Sequence, residues 1–310
     1  MMYFKRLIWI YAALILLFPM AASARDYERH DDIIGAPSQY VVKKEDTLYT
    51  IAQENDLGIT EMLSANPNTD IWLPGEGRKI ALPTMHILPA APRKGIVINL
   101  AEFRLYDFDS GEGVASYPIG IGRSGWETPL GQTHITRKRE NPVWIPPQSI
   151  REEKPDLPKV FPAGPDNPLG THAMNLNWPG YVIHGTNAPY GIGRRSSHGC
   201  IRLYPKDIPR LFAASDVGKS VTVVNQPYKI GWRGDTLLLE VSPTLAQSDA
   251  MLLSETPVPQ SYPGSLEGDL IARTQGMDIK LDWTVIDQAK RERSGMPVPV
   301  GKKQMADKKP

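Results

Sequence analysis

The apolar and polar pattern begins with an unbroken apolar run, Leu7 to Phe18, behind Lys5 and Arg6. Closed by the small-x-small triplet Ala22-Ser23-Ala24, it predicts a signal peptide over 1–24 and a mature chain starting near Arg25. Twelve apolar residues fall short of the roughly 20 that a membrane span needs, which leaves an uncleaved anchor as the other reading. Further on, Tyr40-Val41-Val42 reads as a short strand, and Asp46-Thr47 caps a helix with Leu48, Ile51 and Ala52 at helical spacing. Ile59, Met62 and Leu63 mark a second helix that Asn66-Pro67 closes, and Lys79-Ile80-Ala81-Leu82 reads as a strand before Pro83. The block 40–83 is therefore a small βααβ unit. A linker with Pro89 and Pro92 runs from Met85 to Lys94. Strand patterns follow at Ile96 to Leu100, Phe103 to Tyr106, Ala115 to Ile121 and Gln132 to Thr136, with a turn at Thr128-Pro129-Leu130-Gly131. A short helix from Pro205 carries Ile208, Leu211 and Phe212 on one face. The expected architecture is a mainly β catalytic domain over 95–226, preceded by the βααβ module. Residues 227–310 read as a C-terminal extension with an apolar run, Leu237 to Val241, and a helix striped by Trp283, Ile286 and Ala289. A basic tail of Lys302, Lys303, Lys308 and Lys309 closes it, either a solvated end or a contact for an acidic surface.

Composition narrows the function classes. A chain of 310 residues, 41% hydrophobic and 22% charged, is that of a folded protein of about two domains. Its 35 basic and 34 acidic side chains nearly cancel, which argues against nucleic acid as a partner. Without Lys5 and Arg6, 33 basic and 34 acidic residues leave the mature chain at −1. Cys200 is the only cysteine, which rules out an internal disulfide and a cysteine cage for zinc. In an oxidising compartment a lone thiol is open to oxidation, so Cys200 is either a small buried hydrophobe or a nucleophile.

Its neighbours bear on that choice. Tyr181-Val182-Ile183 is a β-rich run that delivers His184 and Gly185, and Ser196-Ser197-His198-Gly199-Cys200-Ile201-Arg202 follows. A nucleophilic thiol needs a base, a group that orients the base, and donors for the oxyanion. His184 can be the base, oriented through its second nitrogen by a backbone carbonyl. The amides of His198, Gly199 and Cys200 can line an oxyanion pocket, since Gly199 permits a sharp turn. His198 stands two residues from Cys200 and is the alternative base. Zinc on His184, His198 and Cys200 would need a further ligand at convincing spacing, so neither metal nor cofactor is expected. His30, His86, His134 and His172 read as surface or packing residues, and Tyr181 and Trp178 as core or as walls of a donor site.

Two resemblances add to this. Tyr40-x-Val42, Asp46-Thr47-Leu48, Ile51-Ala52, Asn66-Pro67 and Ile80-x-Leu82-Pro83 resemble the LysM module, with Glu45 standing where that family usually has glycine. This implies binding to N-acetylglucosamine-containing strands such as peptidoglycan. The His184-Gly185 pair and Ser197-His198-Gly199-Cys200, with Asn141-Pro142-Val143-Trp144 and Gly164 to Gly170 between the first strands and that pair, resemble the L,D-transpeptidase catalytic domain from Ile96 to Val224. The resemblance implies that Cys200 attacks a stem-peptide carbonyl and releases D-alanine. The thioester then passes to an amine: a second stem peptide, a lysine of an envelope lipoprotein, or a free D-amino acid. It makes His184 the base, surrounds the thiol with Ser197, His198 and Gly199, and leaves the role of Arg202 open. A periplasmic enzyme is expected; a carboxypeptidase or other cysteine hydrolase, or a non-catalytic peptidoglycan-binding scaffold, is the alternative.

Overall fold

The computed structural model describes residues 26–28, 32–111, 113–255 and 264–304. The segment read as a signal peptide, 1–24, lies outside them, as do His30, Lys308 and Lys309.

After β1 (Asp26–Glu28) and β2 (Ile33–Ile34) come β3 (Ser38–Val41), α1 (Leu48–Glu54), α2 (Ile59–Ala65) and β4 (Lys79–Leu82). β3 and β4 pair antiparallel, with Ser38 opposite Leu82. Leu48, Ile51 and Ala52 share one face of α1 and pack with Ile59, Met62, Ile80 and Leu82 in a core of their own. Thr47 starts α1 with a reciprocal cap: its hydroxyl accepts from the Thr50 amide at 3.1 Å, and the Thr50 hydroxyl accepts from the Thr47 amide at 2.9 Å. The turn holding Glu45 needs no glycine, because Glu45 keeps a negative φ and the Asp46 carboxylate accepts from the Lys43 amide at 2.6 Å. Asn66 ends α2 and ties it to β4, accepting from the Ala81 amide at 2.7 Å and donating to the Ala81 carbonyl at 2.8 Å.

The stretch expected as a linker, Met85 to Lys94, contains β5 (His86–Ile87), which pairs with β2. The β-rich unit comprises β6 (Ile96–Asn99), β7 (Arg104–Asp107), β8 (Gly113–Gly122), β9 (Gly131–Glu140), α3 (Gln148–Glu153), β10 (His172–Leu176), β11 (Val182–His184), β12 (Arg195–Ser197), β13 (Ile201–Leu203), α4 (Ile208–Ala213) and β14 (Ser220–Val224). The order β8-β13-β11-β10-β9-β14-β6-β7 closes on itself because β7 also pairs with β8. A closed ring leaves few unpaired edges and encloses Ile98, Phe103, Tyr117, Ile183 and Ile201. This unit is mainly β, as its pattern predicts.

Residues beyond it fold too. β15 (Tyr228–Arg233), β16 (Thr236–Val241), β17 (Ile279–Leu281) and β18 (Val298–Lys303) form a sheet ordered β15-β16-β18-β17. With it go α5 (Leu245–Leu252), α6 (Leu266–Thr274) and α7 (Trp283–Glu292), around a core that includes Leu239, Leu270, Ile286 and Val300. Two expectations are corrected here. Lys302 and Lys303 belong to β18, not to a tail, and Lys303 Nζ lies 4.4 Å from the centre of the Trp232 ring. Trp283 stays 44% exposed while Ile286 is buried, so the apolar stripe of α7 is narrower than expected.

The three units are packed tightly. The Arg104 guanidinium, buried at the base of β7, holds Glu61 of α2 through two bonds of 2.8 and 2.9 Å and the Asp56 carbonyl at 3.0 Å. The Gly193 carbonyl accepts from the Thr60 amide at 3.3 Å, Tyr204 Oη donates to the Leu57 carbonyl at 3.0 Å, and Lys206 Nζ pairs with Asp56 at 2.6 Å. On the far side, buried Lys229 reaches Glu102 at 2.5 Å, Glu240 at 2.9 Å and the Ile87 carbonyl at 2.6 Å. Buried His86 joins Glu102 and Glu240 there, with donor atoms all within 4.8 Å, and the Lys229 ammonium serves as the cation between the two carboxylates.

Candidate active site

Two adjacent strands set the geometry. β11 runs parallel to β13, with Ile183 beside Ile201 and His184 beside Arg202. Ile183 and Ile201 point into the ring's core. Alternation along a strand then sends Val182 and His184, and Cys200 and Arg202, to the other face. Cys200 sits just before β13, so the His184 ring and the thiol share a face one diagonal step apart.

His184 is buried, and its Nδ1 lies 2.5 Å from the Gly185 carbonyl. A carbonyl only accepts, so Nδ1 carries the proton and the Nε2 lone pair is left to take another. Burial drives its pKa down to about 3, helped by the Arg202 charge and opposed by the bonds to the Gly185 and Leu169 carbonyls. Burial pushes the half-buried Cys200 thiol up, against the pull of the Val182 amide and Arg202. Sγ also contacts the Gly180 carbonyl at 3.5 Å. Both groups are therefore neutral at rest.

The turn that presents the thiol is braced from inside. Ser197 is fully buried; its hydroxyl donates to the Cys200 carbonyl at 2.6 Å and accepts from the Gly199 amide at 3.1 Å. Of the three amides considered for the oxyanion, that of Gly199 is thus already engaged. Gly199 is needed for its backbone: its φ is +99°, and a Cβ there would lie 2.7 Å from the Tyr181 ring. Tyr181 in turn donates to the Glu127 carbonyl at 3.3 Å. The Thr128 hydroxyl donates to the Gly199 carbonyl at 2.8 Å and accepts from the Gly122 amide at 3.1 Å, clasping the turn to β8.

His198 occupies different surroundings from His184. Its Nε2 is 2.8 Å from Glu153 of α3, and its ring meets Trp126 edge-on at 4.8 Å. Arg123 shares the same Glu153 oxygen at 2.6 Å, and these two partners, Arg123 foremost, hold Glu153 down at about 2. Arg202 donates to the Ser196 carbonyl at 3.4 Å. Its charge beside His184 gives the residue a local effect that the sequence left open.

The model of the YkuD L,D-transpeptidase catalytic domain matches residues 93–223, and that of the LysM domain matches 40–72. The chain is 38% identical over 275 residues to the "Probable L,D-transpeptidase ErfK/SrfK" of Salmonella typhimurium, covering 86% of this chain and 87% of that protein. It belongs to the L,D-transpeptidase family. The "Probable L,D-transpeptidase ErfK/SrfK" of Escherichia coli K12 is 41% identical over 83% of this chain and 84% of its own length. "Probable L,D-transpeptidase YbiS" of the same strain is 39% identical over 80% and 81%. The crystal structure of L,D-transpeptidase 3 from Mycobacterium tuberculosis shares 19% identity, covering 47% of this chain and 67% of that one, with a TM-score of 0.35.

In this L,D-transpeptidase several residues act across long gaps in the sequence. Asn167, from the Gly164 to Gly170 segment, is buried; its side-chain amide donates to the carbonyls of Pro142 at 2.7 Å and Pro162 at 2.9 Å. It ties together distant parts of the long β9–β10 connection. Thr128, Arg123 and Glu153 act across sequence gaps of 71, 75 and 45 residues, which no short pattern reveals.

Proposed function

We propose that this L,D-transpeptidase acts on peptidoglycan stem peptides through a thioester on Cys200, with His184 as the base. The observation that carries the reading is the contact of His184 Nδ1 with the Gly185 carbonyl at 2.5 Å, on a strand beside the one that Cys200 precedes; with the proton on Nδ1, Nε2 is the ring's acceptor. Sγ attacks the donor carbonyl as its proton moves to Nε2, giving a tetrahedral oxyanion for which the His198 and Cys200 amides are the donors. The oxyanion collapses, the C–N bond breaks, and the His184 imidazolium returns its proton to the leaving D-amino acid. An acceptor amine then attacks the thioester with His184 again taking the proton, and Sγ leaves. The acceptor is a stem peptide, a lipoprotein lysine or a free D-amino acid; water in its place would make the enzyme a hydrolase. Ser197, Gly199 and Thr128 position the turn, and Tyr181 and Arg202 line the donor side.

The LysM module over 40–83 holds the chain on glycan, the catalytic unit spans 95–226, and the N-terminal segment 1–24 exports it to the periplasm. Incubation with a tetrapeptide muropeptide, read by mass, tests the reaction: a cross-linked dimer is expected, whereas tripeptide alone would make it a carboxypeptidase and unchanged substrate a scaffold. Cys200 should also take one carbapenem, seen by intact mass in the native chain and lost in Cys200→Ala. An adduct that persists in the variant would remove the thiol mechanism.

A further inference from the structure

Three aromatic rings from two units meet at one surface. Tyr49 of α1 is buried, with its ring centre 5.4 Å from Trp72 and 5.0 Å, edge-on, from Tyr190. Trp72 belongs to the α2–β4 connection and Tyr190 to a short 3-10 turn between His184 and Cys200. Their rings are 6.4 Å apart and remain 58% and 56% exposed, although aromatic faces of this size are usually covered. Arg194 steadies the base of the cluster by donating to Tyr49 Oη at 3.4 Å.

Trp72 also lines a groove of about 940 Å³ between the α2–β4 connection and the C-terminal unit. Asn66 and Asp70 stand on one wall, Met251 and Arg291 on the other. The groove and the ring pair meet at Trp72, which places the exposed rings beside a groove lined by the LysM and C-terminal units. Beyond Tyr190 the chain runs through β12 to the thiol turn.

We propose that Trp72 and Tyr190 form a composite glycan subsite, shared by the LysM and catalytic units, at the end of the groove that Trp72 lines. The inference rests on the LysM reading of 40–83. A pyranose ring offers an apolar C–H face to stack on an aromatic ring while its hydroxyls stay in water, and two neighbouring exposed rings can take successive sugars. The match to the LysM domain contains Tyr49 and Trp72 but not Tyr190, so the added specificity comes from the catalytic unit.

The test uses the full chain, with chitohexaose in calorimetry and insoluble peptidoglycan in sedimentation. Tyr190→Ala and Trp72→Ala should each weaken binding by about tenfold, the usual scale for one stacked ring. Tyr190→Phe, which keeps the ring, should hold wild-type affinity, and thermal melts confirm that each variant folds. A loss in Trp72→Ala with no change in Tyr190→Ala would overturn the shared subsite and leave the LysM reading standing. A wild-type chain that binds neither probe would overturn that reading and the proposal with it.

Discussion

Neutral thiol beside neutral imidazole is the resting state that burial imposes, and it fixes the pH response. His184 gains its proton only as pH falls toward about 3, while the Cys200 thiol, pushed up by burial, loses its own only at alkaline pH. Between those limits the protonation of the pair is constant. Carbapenem acylation should therefore form a plateau through the ordinary histidine range, and a midpoint near pH 6.5 in a pH–rate series would contradict a buried base. His184→Ala should slow acylation by roughly 10² to 10⁴, the range for a positioned base. His198→Ala, whose ring rests on Glu153 and Trp126, should keep more of the rate in a variant shown to fold. His184 and Cys200 each stand in a contiguous signature, which is what a sequence pattern can mark. The engaged amide of Gly199 lies beyond such a pattern, since it depends on where the Ser197 hydroxyl points.

Elements were legible where burial and pattern agree. The strand read at Lys79 to Leu82 is β4 as observed, because Ile80 and Leu82 face inward and alternate with less buried neighbours. The strand pattern read from the sequence does not include β15: Tyr228, Ile230 and Trp232 alternate and pack against the C-terminal core, but Lys229 and Gly231 between them break up the apolar run. The strand pattern stops at Thr136 because the charged run Arg137 to Glu140 reads as loop, yet those residues pair with β10. The β9–β10 connection, which lacks a long regular element, is held in part by Asn167, beside the Trp144–Phe161 bridge. Asn167→Ala should leave buried carbonyls without a donor and cost about 2 to 3 kcal/mol. Limited proteolysis should then cut between β9 and β10 in a chain whose β-ring persists; equal resistance to the native chain would deny Asn167 that role.

At the scale of the whole molecule, the sequence marked out a glycan module and a catalytic unit but not the way they interlock, since Glu61 and Arg104 lie in separately read segments. Glu61→Ala would remove the carboxylate that faces the buried Arg104 guanidinium and should cost about 3 to 5 kcal/mol in denaturant unfolding. Asp207 lies in the same interface beside Asp56 and Lys206, and burial, with the Asp56 charge, raises it to about 7. A carboxyl raised on folding contributes stability that is complete below its ordinary value and is lost as pH climbs through about 7. Melting should accordingly fall from pH 5 to pH 8, and Asp207→Asn should flatten that slope; an unaltered slope would assign it to other groups. The sequence resemblance to a self-contained module suggests that it could be exchanged for another, and the close approach of Gly58 to Gly193 bears on that. A Cβ at Gly58 would lie 2.6 Å from the Gly193 Cα, and Gly193 belongs to the segment that joins the two halves of the catalytic signature. A chimera carrying a foreign carbohydrate-binding graft would need both a glycine at this contact and a carboxylate for Arg104. The donor sequence for such a transplant is thus constrained by the acyl-transfer half of the enzyme as well as by the sugar it is meant to hold.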